Sequence, residues 1–211
     1  MPSRNILKVD VPDSYYHVYA RGHAKSKIFQ DDEDYEMFLS LFERHLSEKP
    51  ATNTLGRPYP HLKDGVELLC YCLISNHFHL LVYQQSEGAM SKLMRSVMTG
   101  YSMYFNKKYG LSGSLFESRY KASRISSDPY LMHISRYIHL NPKDWMAYPY
   151  SSIHSYYLGA PEWLHPERVI ELFDSSLPIY ADFLNDYANY KESLELIRNE
   201  LADTVDLKTA I

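Results

Sequence analysis

Residues 66–85 read VELLCYCLISNHFHLLVYQQ. Two apolar runs, Val66–Ile74 and 77–85, flank the turn pair Ser75-Asn76, and this pattern predicts a β-hairpin. The second run is unusual, because it places His77 and His79 in an otherwise apolar strand. Strand side chains alternate faces, so the two imidazoles share one face and Phe78 takes the other. Neutral imidazole is a common ligand for divalent metals, and two of them at i, i+2 can occupy adjacent positions on one ion. An isolated H-x-H also suits hydrogen-bonded core histidines, so the pair needs support from elsewhere in the chain.

Working outward, residues 15–22 (YYHVYARG) are aromatic and β-branched and read as a strand ending at a glycine turn. Residues 31–49 begin with acids and set Tyr35, Phe38, Leu39, Phe42 and Leu46 on one side, which predicts an amphipathic helix. Residues 50–63 are a loop. Residues 90–109 form a long helical pattern closed by Gly110. Residues 115–126 read as a strand, and 128–140 as a third helix opened by Ser-Asp-Pro and stopped before Pro142. The order β-α-β-β-α-β-α predicts an α+β fold. Its first six elements match the ferredoxin-like, RRM-like layout: an antiparallel sheet with helices on one face. The other face is left to carry a site, with the third helix as its cover. Residues 1–146 are read as the main domain, and 147–211 as an acidic, mainly helical C-terminal extension.

Composition narrows the function classes. The 211 residues are 45% hydrophobic, enough for a core. No apolar run approaches the length of a membrane span, and the N-terminus lacks the apolar stretch of a secretory signal, so a cytoplasmic protein with no membrane partner is expected. Cys70 and Cys72 are the only cysteines, which fits a reducing compartment. The net charge is −4, but it is unevenly spread. Residues 161–211 hold 11 acids and 4 bases, whereas 1–160 hold 15 acids and 18 bases. Between 91 and 125, Lys92, Arg95, Lys107, Lys108, Arg119, Lys121 and Arg124 face a single acid, Glu117. Such a local basic surface can follow phosphates on an acidic chain.

The third helix supplies the support that H-x-H needs. Tyr137 and Asn141 are four residues apart and share a helix face, while His139 points elsewhere. Asn141 has an amide oxygen suited to a hard cation, and Tyr137 would stand beside whatever ion it touched. Tyrosine is a weak nucleophile when neutral, and a metal helps chiefly by polarising the phosphate under attack.

His77-Phe78-His79 on a strand, followed by RYIHLNP at 136–142, resembles the single-tyrosine HUH transposases, and more closely their REP-associated tyrosine transposase branch. YHVYARGHAKSKIFQDDEDYEMF at 16–38, FESRYKA at 116–122 and YPYSS at 148–152 agree with it. The resemblance implies the HUH endonuclease fold, a metal-dependent DNA transposase that cleaves single strands and transfers them, and a 5′-phosphotyrosine intermediate. It implies Tyr137 as nucleophile and His77, His79 and Asn141 as ligands of Mg²⁺ or Mn²⁺. The implied partner is single-stranded DNA with imperfect hairpins, such as REP-like sequences or transposon ends. Arg21, Lys107, Lys108, Arg119, Lys121 and Arg124 are then candidate DNA contacts, and Tyr120 a base-stacking residue. The superfamily includes dimers and the branch includes a monomeric form, so homodimer and monomer both stay open. Two departures stand out: Ser75 where proline is usual, and GHAKSK at 22–27 where Asn and Arg are common.

Two other readings compete. Cys70 and Cys72 beside the histidines, in the spacing C-x-C-x4-H-x-H, suggest a zinc hydrolase or a structural zinc site. A ferredoxin-like sheet with aromatics also suits a non-catalytic nucleic-acid module, although no RNP1-like run occurs.

Overall fold

The computed structural model describes residues 10–186. Four strands form one antiparallel sheet: β1 (Ser14–Arg21), β2 (Val66–Ile74), β3 (His77–Gln84) and β4 (Lys121–Ile125). Their order is β2-β3-β1-β4. This is the split βαβ arrangement expected from the element order. The β2–β3 turn is the two residues Ser75 and Asn76, with Ile74 opposite His77.

Helix α1 (Asp32–Leu46) starts where the Asp31 side chain accepts the Asp34 N–H at 3.2 Å, and carries Asp32, Glu33 and Asp34 in its first turn. That is a capped N-terminus with acids placed against the helix dipole. Helix α2 (Ala89–Tyr109) ends at Gly110, whose φ of 62° only glycine adopts without strain. Both helices pack on the sheet face made by Val18, Ala20, Phe78, Leu80, Val82 and Ala122. Helix α3 (Asp128–His139) packs on the opposite face with Tyr19, Cys72, Leu81 and Ile125. The sheet is therefore covered on both sides.

A bulge in β2 between Leu68 and Cys70 accommodates the two cores. Without it, alternation would send Leu69 to the α1–α2 side. With it, Leu69 and Cys70 both join the α3 core.

The strand predicted over 115–126 is shorter in the structure. Only Lys121–Ile125 pairs continuously, while Phe116 makes a single bridge to Gly22. Residues 117–119 are exposed between these two pairings.

The C-terminal extension is built into the domain. β2 is a sheet edge, and its free backbone groups are taken up by later residues. Leu73 N–H donates to Tyr150 at 2.9 Å, Ser152 N–H to Tyr71 at 3.0 Å, and His165 N–H to Leu68 at 2.8 Å. Covering an edge in this way removes a template for unwanted strand addition. The helices α4 (Ile153–Leu158), α5 (Glu167–Ile170) and α6 (Leu177–Asn185) follow. Tyr156, Val169, Phe173, Tyr180 and Leu184 are buried with α3. Within the extension read over 147–211, residues 153–158, 167–173 and 177–185 are helical and the other described residues are turns or irregular; residues 187–211 lie outside the described part.

Candidate active site

The α3-covered face of the sheet carries the site. His79 is buried at the centre of β3, and His77 is half-buried at its start. Helix α3 crosses this face so that the Tyr137 hydroxyl lies 3.5 Å from His79 Nε2. Their rings meet edge to face at 5.2 Å. Asn141, one turn further on, brings Oδ1 to 3.3 Å from His77 Nε2. Two strand residues, one helix residue and one residue just past the helix end, some 60 positions apart, meet within a single chain.

His77 Nδ1 is 2.6 Å from Asn76 Oδ1. The Asn76 amide nitrogen donates in turn to the Lys25 carbonyl at 3.4 Å. A carboxamide oxygen accepts only, so the proton of neutral His77 sits on Nδ1 and its Nε2 lone pair faces Asn141 Oδ1. In that neutral form the two facing atoms, 3.3 Å apart, are both acceptors, a pair that a cation between them would satisfy. Neighbouring ligands of an octahedral ion with bonds of about 2.1 Å stand about 3.0 Å apart, so the separation suits a shared ion.

A third histidine belongs to this cluster and was not picked out from the sequence. His17 on β1 is fully buried and places Nε2 2.9 Å from His79 Nδ1. It packs against Tyr19 and the edge of Tyr137. Burial pushes the His17 pKa down to about 3. Burial, followed by the neighbouring His17, His77 and Arg21, holds that of His79 well below the usual histidine value. Both rings are neutral at ordinary pH, the form in which imidazole binds metal. A signal was present: His17 in YYHVY is the same anomaly as His77 and His79, an imidazole inside an apolar strand.

The tyrosine helix is held from behind. Arg136 is fully buried, donates to the Phe183 carbonyl at 3.1 Å and the Asp186 carbonyl at 3.3 Å, and lies over the Phe183 ring. The carbonyls at the C-terminal end of α6 compensate a buried cation that water cannot reach. His139 joins a chain of bonds with one consistent direction. Tyr71 N–H donates to Ser152 Oγ (2.8 Å), Ser152 to His139 Nε2 (2.8 Å), His139 Nδ1–H to Tyr180 Oη (2.7 Å), and Tyr180 to Ser135 Oγ (3.3 Å). This chain ties α3 to both the sheet edge and α6.

The basic candidates separate into groups. Arg21, Arg119 and Lys121 line one cleft with His77, His79 and Glu117. Arg21 faces His77 across the β1–β3 ladder and approaches Glu117 at 3.8 Å, and Lys121 faces Tyr19 on the α3 side of β4. Arg124 is on the opposite side of the edge strand, where it donates to Ser14 Oγ at 3.2 Å. Lys107 is exposed at the end of α2, on the other side of the sheet. Two of the candidates have partners inside the protein. Lys108 is enclosed by Asp31, Glu33 and Asp34 at 2.7, 3.0 and 2.9 Å, so its charge is already matched by carboxylates. Tyr120 is buried in the α1–α2 core with its hydroxyl 3.0 Å from Ser91, so its ring is a packing group rather than an open stacking platform.

Cys70 and Cys72 are both buried, and burial pushes both thiols well up, which keeps them protonated. Among the described residues no three His, Cys, Asp or Glu side chains are grouped to hold an ion. The set assembled here is two imidazoles and an amide.

Residues 60–141 match a protein-family model described as "Transposase IS200 like". Over these residues the chain is similar to the IS200-like transposases. The matched segment, about two-fifths of the chain, contains His77, His79, Tyr137 and Asn141 and leaves out β1 with His17. Among solved structures, the chain is similar to a REP-associated tyrosine transposase bound to a REP hairpin. The likeness has a TM-score of 0.50 and 15% identity, over 74% of this chain and 87% of that one. It supports the fold, an antiparallel four-stranded sheet with helices. No curated protein matches the sequence. No helix among the described residues is long and apolar enough to cross a membrane.

Proposed function

We propose that this protein is a metal-dependent transposase that cleaves single-stranded DNA beside imperfect hairpins and rejoins it through a 5′-phosphotyrosine link. The observation that carries this reading is the Tyr137 hydroxyl, 3.5 Å from His79 Nε2 in a site that one chain completes. Tyr137 Oη bonds to the phosphorus as the bond to the 3′ oxygen breaks. The phenolic proton is lost, and the leaving oxygen becomes a free 3′-hydroxyl. Attack of another 3′-hydroxyl on the phosphotyrosine reverses the step, so the phosphodiester energy is kept for strand transfer.

His77, His79 and Asn141 would hold Mg²⁺ or Mn²⁺, with the remaining positions left to water and phosphate oxygens. The spacing of His77 Nε2 and Asn141 Oδ1, and the neutral imidazole of His79, support this fit. Such an ion supplies polarisation of the scissile phosphate and neutralises charge in the transition state. Arg21, Arg119 and Lys121 are placed to hold the strand at the cleft; Lys107 and Arg124 lie further out. With the whole site on one chain, a monomer would suffice for cleavage. The cytoplasm, where such DNA is accessible, is the proposed place of action.

The test is a denaturing gel of the protein with labelled single-stranded hairpin DNA from its gene's flanks, in Mg²⁺, Mn²⁺ or EDTA. Wild type should give a metal-dependent covalent protein–DNA band, and Tyr137→Phe should give none. A band that persists in Tyr137→Phe would move the nucleophile elsewhere. No band with any flanking hairpin would count against cleavage.

A further inference from the structure

His17 is fully buried, yet packing does not call for histidine at this position. Its Nδ1 has no hydrogen-bond partner among the described residues. A phenyl ring would fill the space without burying an unpaired nitrogen, which is a costly arrangement. What the imidazole adds is Nε2, 2.9 Å from His79 Nδ1. His77 has a counterpart in Asn76, whose oxygen lies 2.6 Å from His77 Nδ1. Each histidine of the H-x-H pair therefore has its inner nitrogen held by a neighbour and its outer nitrogen directed at the site.

The chemistry fixes the direction of the bond. A neutral imidazole that offers Nε2 to an ion must carry its proton on Nδ1. His79 Nδ1–H then donates, His17 Nε2 accepts, and the proton of His17 lies on its own Nδ1. The opposite direction would leave a proton on His79 Nε2, facing Tyr137, and close that nitrogen to a metal. We infer that His17 is a positioning residue of the metal site: by accepting the Nδ1–H of His79, it holds that ring in the tautomer and orientation that present Nε2 to the ion. Partners behind metal-bound histidines commonly have this effect. The inference rests on the proposed metal site and extends it to a strand that the family match leaves out.

The test is a titration of the full chain with Mn²⁺ alone, without DNA, following free Mn²⁺ by EPR. Two variants are compared, with thermal unfolding as a check on folding. His17→Phe fills the space but cannot accept, and should bind Mn²⁺ about 10–100-fold more weakly than wild type. His17→Gln carries an acceptor near the Nε2 position and should stay within about threefold of wild type. Equal binding by wild type and His17→Phe would overturn the inference. So would equal losses in both variants, since a purely structural role predicts them. If wild type itself does not bind Mn²⁺, the metal site fails and the inference with it. Imidazole ¹⁵N NMR of wild type in Mg²⁺ needs no variant that might misfold: protons on Nδ1 of both His79 and His17 are expected, and a bare His79 Nδ1 would overturn the assignment.

Discussion

A cationic side chain contributes to DNA binding only if its charge has not already been matched inside the protein. Lys108 and Lys121 were indistinguishable as members of one basic segment. The first sits among three carboxylates, whereas the second lines a cleft with His77 and His79. Charge reversal at Arg119 and Lys121 should therefore weaken binding of single-stranded hairpin DNA. If each contacts one phosphate, the log–log salt slope should become shallower by at least about 1.4. An equilibrium salt series on wild type and the double variant measures this, and unchanged slopes would exclude the patch. The imidazoles show the same dependence on surroundings. H-x-H identified two histidines by spacing alone, while His17 needed its neighbour His79 to give it meaning.

Helix α3 is the element on which the candidate site depends, because it carries Tyr137 and its end sets the place of Asn141. Its amphipathic pattern and its stop at Pro142 were legible in the sequence, and so was the shared face of residues four apart. What holds it in place was not. Tyr180 on α6 accepts from His139 and donates to Ser135, so α6 fixes two positions on the inner side of α3. Tyr180→Phe would leave His139 Nδ1–H buried without its acceptor, at a cost of about 1–3 kcal/mol. Urea unfolding should show that loss, and the rate of covalent DNA attachment should fall with it if α6 aligns the tyrosine. Strand β4 makes the complementary point. Its apolar and aromatic pattern runs from 115, but continuous pairing with β1 begins only at Lys121, and the exposed residues 117–119 contribute Arg119 to the cleft.

On the scale of the whole molecule, the sheet separates two cores. The α1–α2 side is the larger apolar core, and the α3 side carries the candidate site and the buried His17, His79 and His139. Burial lowers the His139 pKa to about 3, while an unfolded histidine titrates near 6.5. The native state thus binds fewer protons than the unfolded chain between these values. Stability is full above pH 6.5 and falls on acidification toward pH 3, by about 1.4 kcal/mol per pH unit for this residue. Urea unfolding in EDTA at pH 7.5, 6 and 5 should show the decline. His139→Gln should lower stability at pH 7.5 but flatten the slope, and an unchanged slope would mean that another group sets it.

The sequence by itself determined the order and type of the elements, because strand and helix periods are local and survive in one dimension. It also determined that His77 and His79 share a face, and that Tyr137 and Asn141 do. Tertiary structure alone decided which faces meet. It brought α3 over β3, set His17 behind His79, surrounded Lys108 with carboxylates and wrapped residues 150–165 along the β2 edge. A side chain's role as ligand, support or counter-ion follows from the partners that packing supplies, and those lie 60 or more residues away in several of these contacts.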